Sequence, residues 1–172
     1  MDEKRVIQQA KQGDKSALAL LLQENYRIVL GYFMKITLDK RNAEDLTQET
    51  MLRAIEKFGL FDERFKFSTW LITMGTNIYR DQLRKRGAMR ESISGSDVEG
   101  VPDISGYGEP ELKVDLRAAL RGMAAEKRIT IVLRYFHEYS YEEIARILKV
   151  PVGTVRSRLH NGIDELQRAL TS

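Results

Sequence analysis

The stretch SYEEIARILKVPVGTVRSRLHN, Ser140 to Asn161, reads as a short helix, a tight turn and a second helix. Ser140 stands where an N-cap belongs, and Glu143, three residues on, completes a capping box. Ile144, Ile147 and Leu148 fall on one face at helical spacing, with Glu142, Glu143 and Arg146 turned away. Pro151 cannot continue that helix, and Gly153 is expected to relieve the backbone where the next begins. Val155 and Leu159, four apart, pack the second helix inward, while Arg156, Ser157, His160 and Asn161 lie on its other faces. A short polar and basic helix held rigidly against a partner fits a DNA major groove. The same pattern also describes an ordinary helical hairpin with solvated charges.

Around this stretch lies a chain of 172 residues, enough for one ordinary domain or two small ones. It is 42% hydrophobic and 31% charged, the balance of a globular protein with a core. The formal net charge is only +3, so any nucleic-acid surface must come from local clustering. There is no Cys, which excludes disulfides and thiolate metal sites. The two His, His137 and His160, have no ligand-like companions. The charged start, residues 1–5, has no apolar segment behind it, so no signal peptide is expected. The apolar run 17–22 is far too short to span a bilayer. A cytoplasmic protein without membrane insertion is the expectation.

All three prolines (Pro102, Pro110, Pro151) lie beyond residue 100, and the first hundred residues read mostly as helix. A short helix over 6–11 stops at Gly13, and Asp14 can cap the next. Apolar residues at 18, 21, 22, 26, 29, 30, 33 and 36 then mark an amphipathic core helix from 17 to about 38. The run 39–42 breaks it, with Asn42 expected to cap the third helix. Over 43–58, Ala43, Thr47, Thr50, Met51, Ala54 and Phe58 gather on one side of that helix. Asp45, Gln48, Glu49 and Glu56, joined by Leu52, gather on the other. Acids in a first turn favour the helix dipole, which accounts for Glu44 and Asp45 without any function. It does not account for Glu49 and Glu56, or for a leucine among acids. A polar face with one apolar anchor also suits protein docking.

In the stretch 58–71, FGLFDERFKFSTWL, four phenylalanines and the only Trp interleave with Arg64 and Lys66. About half of these rings are expected in the core. Aromatics beside basic residues also suit single-stranded nucleic acid, where bases stack on rings and cations hold phosphates. Ser68 is expected to cap a helix running to about Arg86, with Trp70, Leu71, Met74, Ile78 and Leu83 packing. Its end carries Arg80, Arg84, Lys85 and Arg86 against Asp81 alone. Cations at a helix C-terminus are favoured in any protein, but beside such a loop they also form a phosphate-binding stripe. Residues 88–110 change character, with four glycines, Pro102 and Pro110, several serines and an acidic balance. They read as a flexible linker. Beyond it, helices over 112–123 and 127–137 support the pair first described, with Ile131, Val132, Leu133, Tyr135 and Phe136 as core. No internal repeat is found.

Together these stretches resemble the extracytoplasmic-function sigma factors, small two-domain bacterial transcription initiation factors. The resemblance is carried by Ala43-Glu44-Asp45-Leu46-Thr47-Gln48-Glu49-Thr50, by Phe67-Ser68-Thr69-Trp70-Leu71 and by Asn77-Ile78-Tyr79-Arg80-Asp81. In the second unit it is carried by Tyr135-Phe136, by residues 140–145 and by residues 151–159. Separate motifs in family order around a matching linker cover nearly the whole chain, far more than one helix-turn-helix would. The resemblance implies an all-α fold of two small helical domains joined by a flexible linker, the second a four-helix unit with a helix-turn-helix. Residues 1–87 would be sigma region 2, 88–110 the acidic linker and 111–172 sigma region 4.

It implies roles as well. Asp45, Gln48, Glu49, Leu52 and Arg53 match the face that docks on bacterial core RNA polymerase. Phe61, Lys66, Phe67, Ser68, Trp70 and Asn77 match positions that recognise and open the −10 element of promoter DNA, where a base is extruded and held. Arg80, Arg84 and Lys85 would hold backbone phosphates there. Arg156, Ser157, His160 and Asn161 would read the −35 element as duplex, with Thr154 and Arg158 on phosphates. An anti-sigma factor is a further partner expected from the family. No metal or cofactor is implied, and the protein is expected not to be an enzyme. Two departures stand out. Met123-Ala124-Ala125-Glu126 replaces the usual Leu-Pro-Glu, so a looser or longer helix junction is expected. His160 and Asn161 replace an aromatic and an Arg, so the base preference does not transfer; His160 also suggests pH-sensitive binding.

Two rivals compete with that reading. A stand-alone helix-turn-helix regulator would bind duplex DNA without polymerase, but leaves the face 45–56 and the loop 61–70 unexplained. A nucleic-acid-modifying helical enzyme would need carboxylates converging on a metal. Asp45 and Glu49 offer two, and no further ligands converge with them in the sequence.

Overall fold

The computed structural model describes residues 1–90 and 114–171, and among them all regular structure is helical. From residue 91 onward the expected linker lies outside the described residues. Contacts divide the chain into one unit of Met1–Phe33 with Arg41–Gly100 and another of Met34–Lys40 with Val101–Ser172.

Helix α1 (Glu3–Lys11) starts earlier than the sequence suggests, because the Asp2 carboxylate accepts the Arg5 N–H and caps it. Gly13, at φ +98°, turns the chain. Asp14 then accepts from the Ser16 and Ala17 amides at 3.0 and 3.2 Å, capping α2 (Lys15–Thr37) as expected. Between α2 and α3 (Lys40–Lys57) the break is two residues long. Leu38 goes left-handed, and the Thr37 hydroxyl both donates to and accepts from the Asp39 backbone. The helix therefore resumes ahead of Asn42, which is not a cap. Its amide instead pairs with that of Gln82 at 3.2 and 3.3 Å.

A 3₁₀ turn (Phe58–Leu60) and a loop lead into α4 (Phe67–Arg90). Phe67 is already helical, so Ser68 sits in the first turn rather than capping it. Leu71, Ile72 and Ile78 of α4 are buried, while Trp70, Met74 and Leu83, also expected to pack, are only partly so. The helices of this unit approach closely at Gly75, where an added Cβ would lie 2.5 Å from the Phe33 ring and 2.9 Å from the Thr50 hydroxyl. Next to it Thr76 donates to the Ile72 carbonyl, so the Tyr32 hydroxyl, 2.6 Å away, donates to Thr76. Thr47 and Thr50 donate back to Ala43 and Leu46, leaving the buried hydroxyls satisfied.

The second unit contains α5 (Val114–Arg121), α6 (Ala125–Tyr135), α7 (Tyr141–Leu148) and α8 (Val152–Thr171). Its α5–α6 junction is tight, contrary to expectation. Buried Arg128 donates to the carbonyl oxygens of Leu120 and Met123 at 3.1 and 3.0 Å, satisfying the end of α5. Ile131, Val132 and Leu133 are core, but Tyr135 and Phe136 are exposed, because α6 ends at Tyr135 and Phe136 is its C-cap.

Ser140 and Glu143 form the expected capping box, with both bonds at 3.1 Å. The residue that turns left-handed after α7 is Lys149, at φ +56°, and not a glycine. Gly153 lies inside α8 without a positive φ, so it is not where the backbone is relieved. Val155, Leu159, Gly162 and Leu166 form the buried stripe of α8. Gly162 lets α8 approach α6, since a Cβ there would meet Ile131 Cδ1 at 2.6 Å.

Gly75→Val tests the three-helix approach. Wedging a branched side chain against a fixed ring should lower unfolding free energy by roughly 1–3 kcal/mol, read as a lower urea midpoint at unchanged m.

Candidate functional site

Burial of Ala43, Leu46, Thr47, Thr50 and Ala54 seats α3 and turns its other side to solvent. Asp45, Gln48, Glu49, Leu52 and Arg53 all lie on that exposed side. Leu52 is 63% exposed, and Arg53 is ion-paired with Glu49 at 3.3 Å, a link of i,i+4 type. The sequence reading missed two apolar neighbours. Ile55, three residues beyond Leu52, is 51% exposed, and Leu60 in the 3₁₀ turn is 77% exposed. Helical phase could have found Ile55; nothing periodic marks Leu60. The face thus carries two exposed apolar side chains, Leu52 and Ile55, three residues apart beside its acids. Among the described residues no group of three or more His, Asp or Glu is arranged to hold a metal.

A second surface is built by the loop between α3 and α4. The rings of Phe58, Phe61, Phe67 and Trp70 stand at 5.3–6.4 Å from one another, in tilted, edge-on and stacked pairs. Phe61 and Phe67, offered by the resemblance as DNA contacts, are buried within this cluster. Their rings support the loop and cannot meet a base in this conformation. Trp70 and Ser68 are half-buried and Lys66 is exposed. The loop's exposed ring is Phe65, which the sequence reading did not single out.

The loop is fastened from α1. Lys11 Nζ donates to the Phe61 carbonyl at 2.7 Å and the Phe58 carbonyl at 3.4 Å. The same ammonium lies 5.2 and 5.7 Å from the two ring centroids, a cation–π arrangement. Gln8 donates to Glu63 at 2.7 Å. Within the loop, Asp62 accepts the Arg64 amide and both its Nε–H and a terminal N–H, at 2.6–3.1 Å. These bonds hold the Asp62 carboxyl down at about 2, from 3.8.

Along α4, Trp70, Asn77 and Arg84 recur every seven residues and so lie nearly in line. The residues between them on that face, Thr73, Met74, Arg80 and Asp81, are partly or fully exposed. The stripe runs about 21 Å at 1.5 Å per residue. Arg84 bonds Asp81 at 2.6 Å, and Lys85 and Arg86 are exposed beyond it.

The third surface belongs to the second unit. Arg156, Ser157, His160 and Asn161 form an exposed quartet on the first half of α8, each i,i+4 pair one turn apart. Thr154 and Arg158 are partly buried at its edge. Arg158 is ion-paired with Glu126 of α6 at 3.1 Å, and Ser157 donates to the Thr154 carbonyl at 3.3 Å. Behind the quartet, Lys127 and Glu165 also tie α6 to α8.

A helix-turn-helix of this form thus stands in one chain with a separate helical unit that bears acidic and aromatic-basic faces. Family models described as sigma-70 region 2 and sigma-70 region 4 match residues 21–89 and 113–166. The chain is 30% identical to the ECF RNA polymerase sigma factor SigW of Bacillus subtilis (strain 168), over 97% of this chain and 96% of that one. It belongs to the ECF RNA polymerase sigma factor family. Among solved structures, it is similar to the sigma factor RpoE in its co-crystal with the anti-sigma factor NepR from Bartonella quintana. That match has a TM-score of 0.73 and 28% identity, over 91% of this chain and 96% of that one. CnrH, solved with the cytosolic domain of CnrY, shares the fold at a TM-score of 0.70 and 21% identity, covering 98% and 97%.

Two measurements probe the loop. The Asp62 carboxyl should titrate with a midpoint near 2 by NMR and return towards 3.8 in Arg64→Gln. A depressed carboxylate contributes fully above its unfolded pKa, so the pair should be intact above about pH 4 and lost as pH falls through 2. Lys11→Met keeps the aliphatic stem but removes the donor. It should cost about 1–3 kcal/mol and shift the emission of Trp70, the only tryptophan, to the red.

Proposed function

We propose that this sigma factor binds bacterial core RNA polymerase and directs it to one promoter class, reading −35 duplex and capturing the melted −10 strand. In this reading residues 1–87 act as region 2, 88–110 as the linker and 111–172 as region 4. The observation that carries the reading is the outward face of α3, where exposed Leu52 stands among Asp45, Gln48 and Glu49. Exposed leucine and isoleucine three residues apart among carboxylates suit a partner surface better than they suit a helix that serves only its own fold, or a stand-alone DNA binder. Charged groups would steer the encounter, and Leu52 with Ile55 would supply buried apolar area.

The α4 stripe supports the second half of the reading. Arg80, Arg84 and Lys85 would neutralise phosphates of the non-template strand, Arg84 by leaving Asp81, with Lys66, Ser68, Trp70 and Asn77 towards the bases. Phe61 and Phe67 then act as the frame beneath the loop. In the duplex half, Arg156, Ser157, His160 and Asn161 would face base edges, and Thr154 and Arg158 the backbone, Arg158 by leaving Glu126. The chain itself does no covalent chemistry; polymerase supplies it, and no metal or cofactor is needed. The work would be done in the cytoplasm, where bacterial RNA polymerase acts. No described helix is long and apolar enough to cross a membrane. Since RpoE of Bartonella quintana was solved with an anti-sigma factor, a protein of that kind is proposed as a partner here too.

The purified chain should co-elute with bacterial core RNA polymerase, and Asp45→Arg with Glu49→Arg should abolish it. Retained binding in the double variant would remove the docking assignment. No binding by the wild type, with tight binding to duplex DNA alone, would favour the stand-alone regulator.

A further inference from the structure

We propose that Lys149 is a phosphate-binding residue at the turn of the helix-turn-helix, adding affinity for duplex DNA without reading its sequence. The inference rests on the duplex-reading role proposed above for α8 and adds to it a side chain that the sequence pattern did not single out.

The observation that carries it is a lysine where the backbone favours glycine. Lys149 ends α7 at φ +56° and ψ +48°, in the left-handed region. Its N–H and that of Val150 both donate to the Ala145 carbonyl, the latter at 3.1 Å, which closes the helix end. Glycine is the usual residue at such a stop, because a Cβ there crowds the backbone. Asparagine and aspartate tolerate the conformation by hydrogen-bonding locally, which a long lysine side chain does not do. Packing does not explain the choice either. Lys149 is exposed, and its ammonium has no ion-pair partner among the described residues.

The surroundings point to the partner. From residue 144 to residue 163 the chain has no Asp or Glu, yet carries Arg146, Lys149, Arg156 and Arg158. The turn therefore lies in a stretch whose charge is of one sign. In a docked helix-turn-helix the first helix crosses the DNA backbone, and the second enters the major groove with its N-terminal residues on the bases. The turn between them then faces the sugar-phosphate wall of the groove. Lys149 stands there, three residues ahead of Val152, where α8 begins. A compact ammonium on a flexible stem meets a phosphate as a point charge, without the directional demand of a base edge. Its contribution is thus the same on every sequence. Arg158, by contrast, must first leave Glu126.

The test uses holoenzyme assembled from this chain and bacterial core RNA polymerase, with the duplexes that wild-type holoenzyme enriches from a random-sequence library as probe. Lys149→Gly and Lys149→Gln should each weaken binding about 5- to 10-fold at roughly 0.1 M salt. The slope of log affinity against log salt should fall by about 1, and equally on every enriched sequence. Lys149→Arg should keep wild-type affinity and slope. Glycine relaxes the turn, so Lys149→Gly should leave the urea midpoint unchanged or higher, and a loosened fold would not account for its lost affinity. Wild-type affinity and slope in both Lys149→Gly and Lys149→Gln would overturn the assignment, while the enriched duplexes would leave the promoter reading standing. A loss confined to some sequences would make Lys149 a base contact and also overturn it. A loss of affinity for core polymerase would make it a protein contact, with the same result. If wild-type holoenzyme enriches no sequence, the promoter reading falls and this assignment falls with it.

Discussion

The clustering of Phe58, Phe61, Phe67 and Trp70 is the constraint on which the first unit turns. The segment from α3 to α4 has no continuous helix to stiffen it, so its conformation depends on burying these rings together. Once Phe58 and Phe67 are buried, the end of α3 and the start of α4 are held within reach of each other. The phase of each helix is then set by its own buried stripe. That phase turns Asp45, Gln48, Glu49 and Leu52 outward on α3 and lines up Trp70, Asn77 and Arg84 on α4. Lys11 makes the cluster's polar edge affordable. The carbonyls of Phe58 and Phe61 would otherwise stand beside aromatic surface with poor access to water, and its ammonium answers both.

What could be read from the sequence was whatever repeats with a period or is set by neighbours a few residues away. The capping box at Ser140 is local chemistry, and it is present bond for bond. The exposed quartet of α8 and the acidic face of α3 come from helical phase, which two buried residues suffice to fix. The loop 61–66 has no period. Nothing in FDERF says which phenylalanine turns in, and Phe61 and Phe65 have the same intrinsic preference. The decision lies with Lys11, some fifty residues away in sequence, which reads locally as one more cation at a helix C-terminus. The same blindness explains the α5–α6 junction, where buried Arg128 does with three-dimensional hydrogen bonds what a proline does with a fixed φ. Asn42 and Gly153 fail for a milder reason: each has the right chemistry for a cap or a turn, but α3 has already begun at Lys40, and Lys149 takes the left-handed turn before Gly153 is reached.

The polar groups of the three surfaces differ in how committed they are, and this bears on how each would engage a partner. Glu49, Arg84 and Arg158 are each already bonded within the chain. Under the proposed roles, a phosphate or a polymerase residue would compete with these bonds, so the gain on binding would be the difference between two charge-assisted contacts. For the exposed pairs the internal contact is worth little, about 0–1 kcal/mol, and exchange is nearly free. Arg158, with a partly buried guanidinium, has more to lose, which suits a residue that keeps α8 seated on α6.

Leu52, Ile55 and Leu60 carry a last consequence, for the upkeep of the protein. Large aliphatic side chains left in water are the kind of surface through which copies of a chain associate nonspecifically. Any protein that covers them selectively in the folded state raises the stability of that state in proportion to the logarithm of its concentration. The free pool is then the fragile pool. A cell that makes more of this chain than its partners can cover exposes the excess to aggregation and proteolysis, so its abundance is trimmed towards that of whatever binds it.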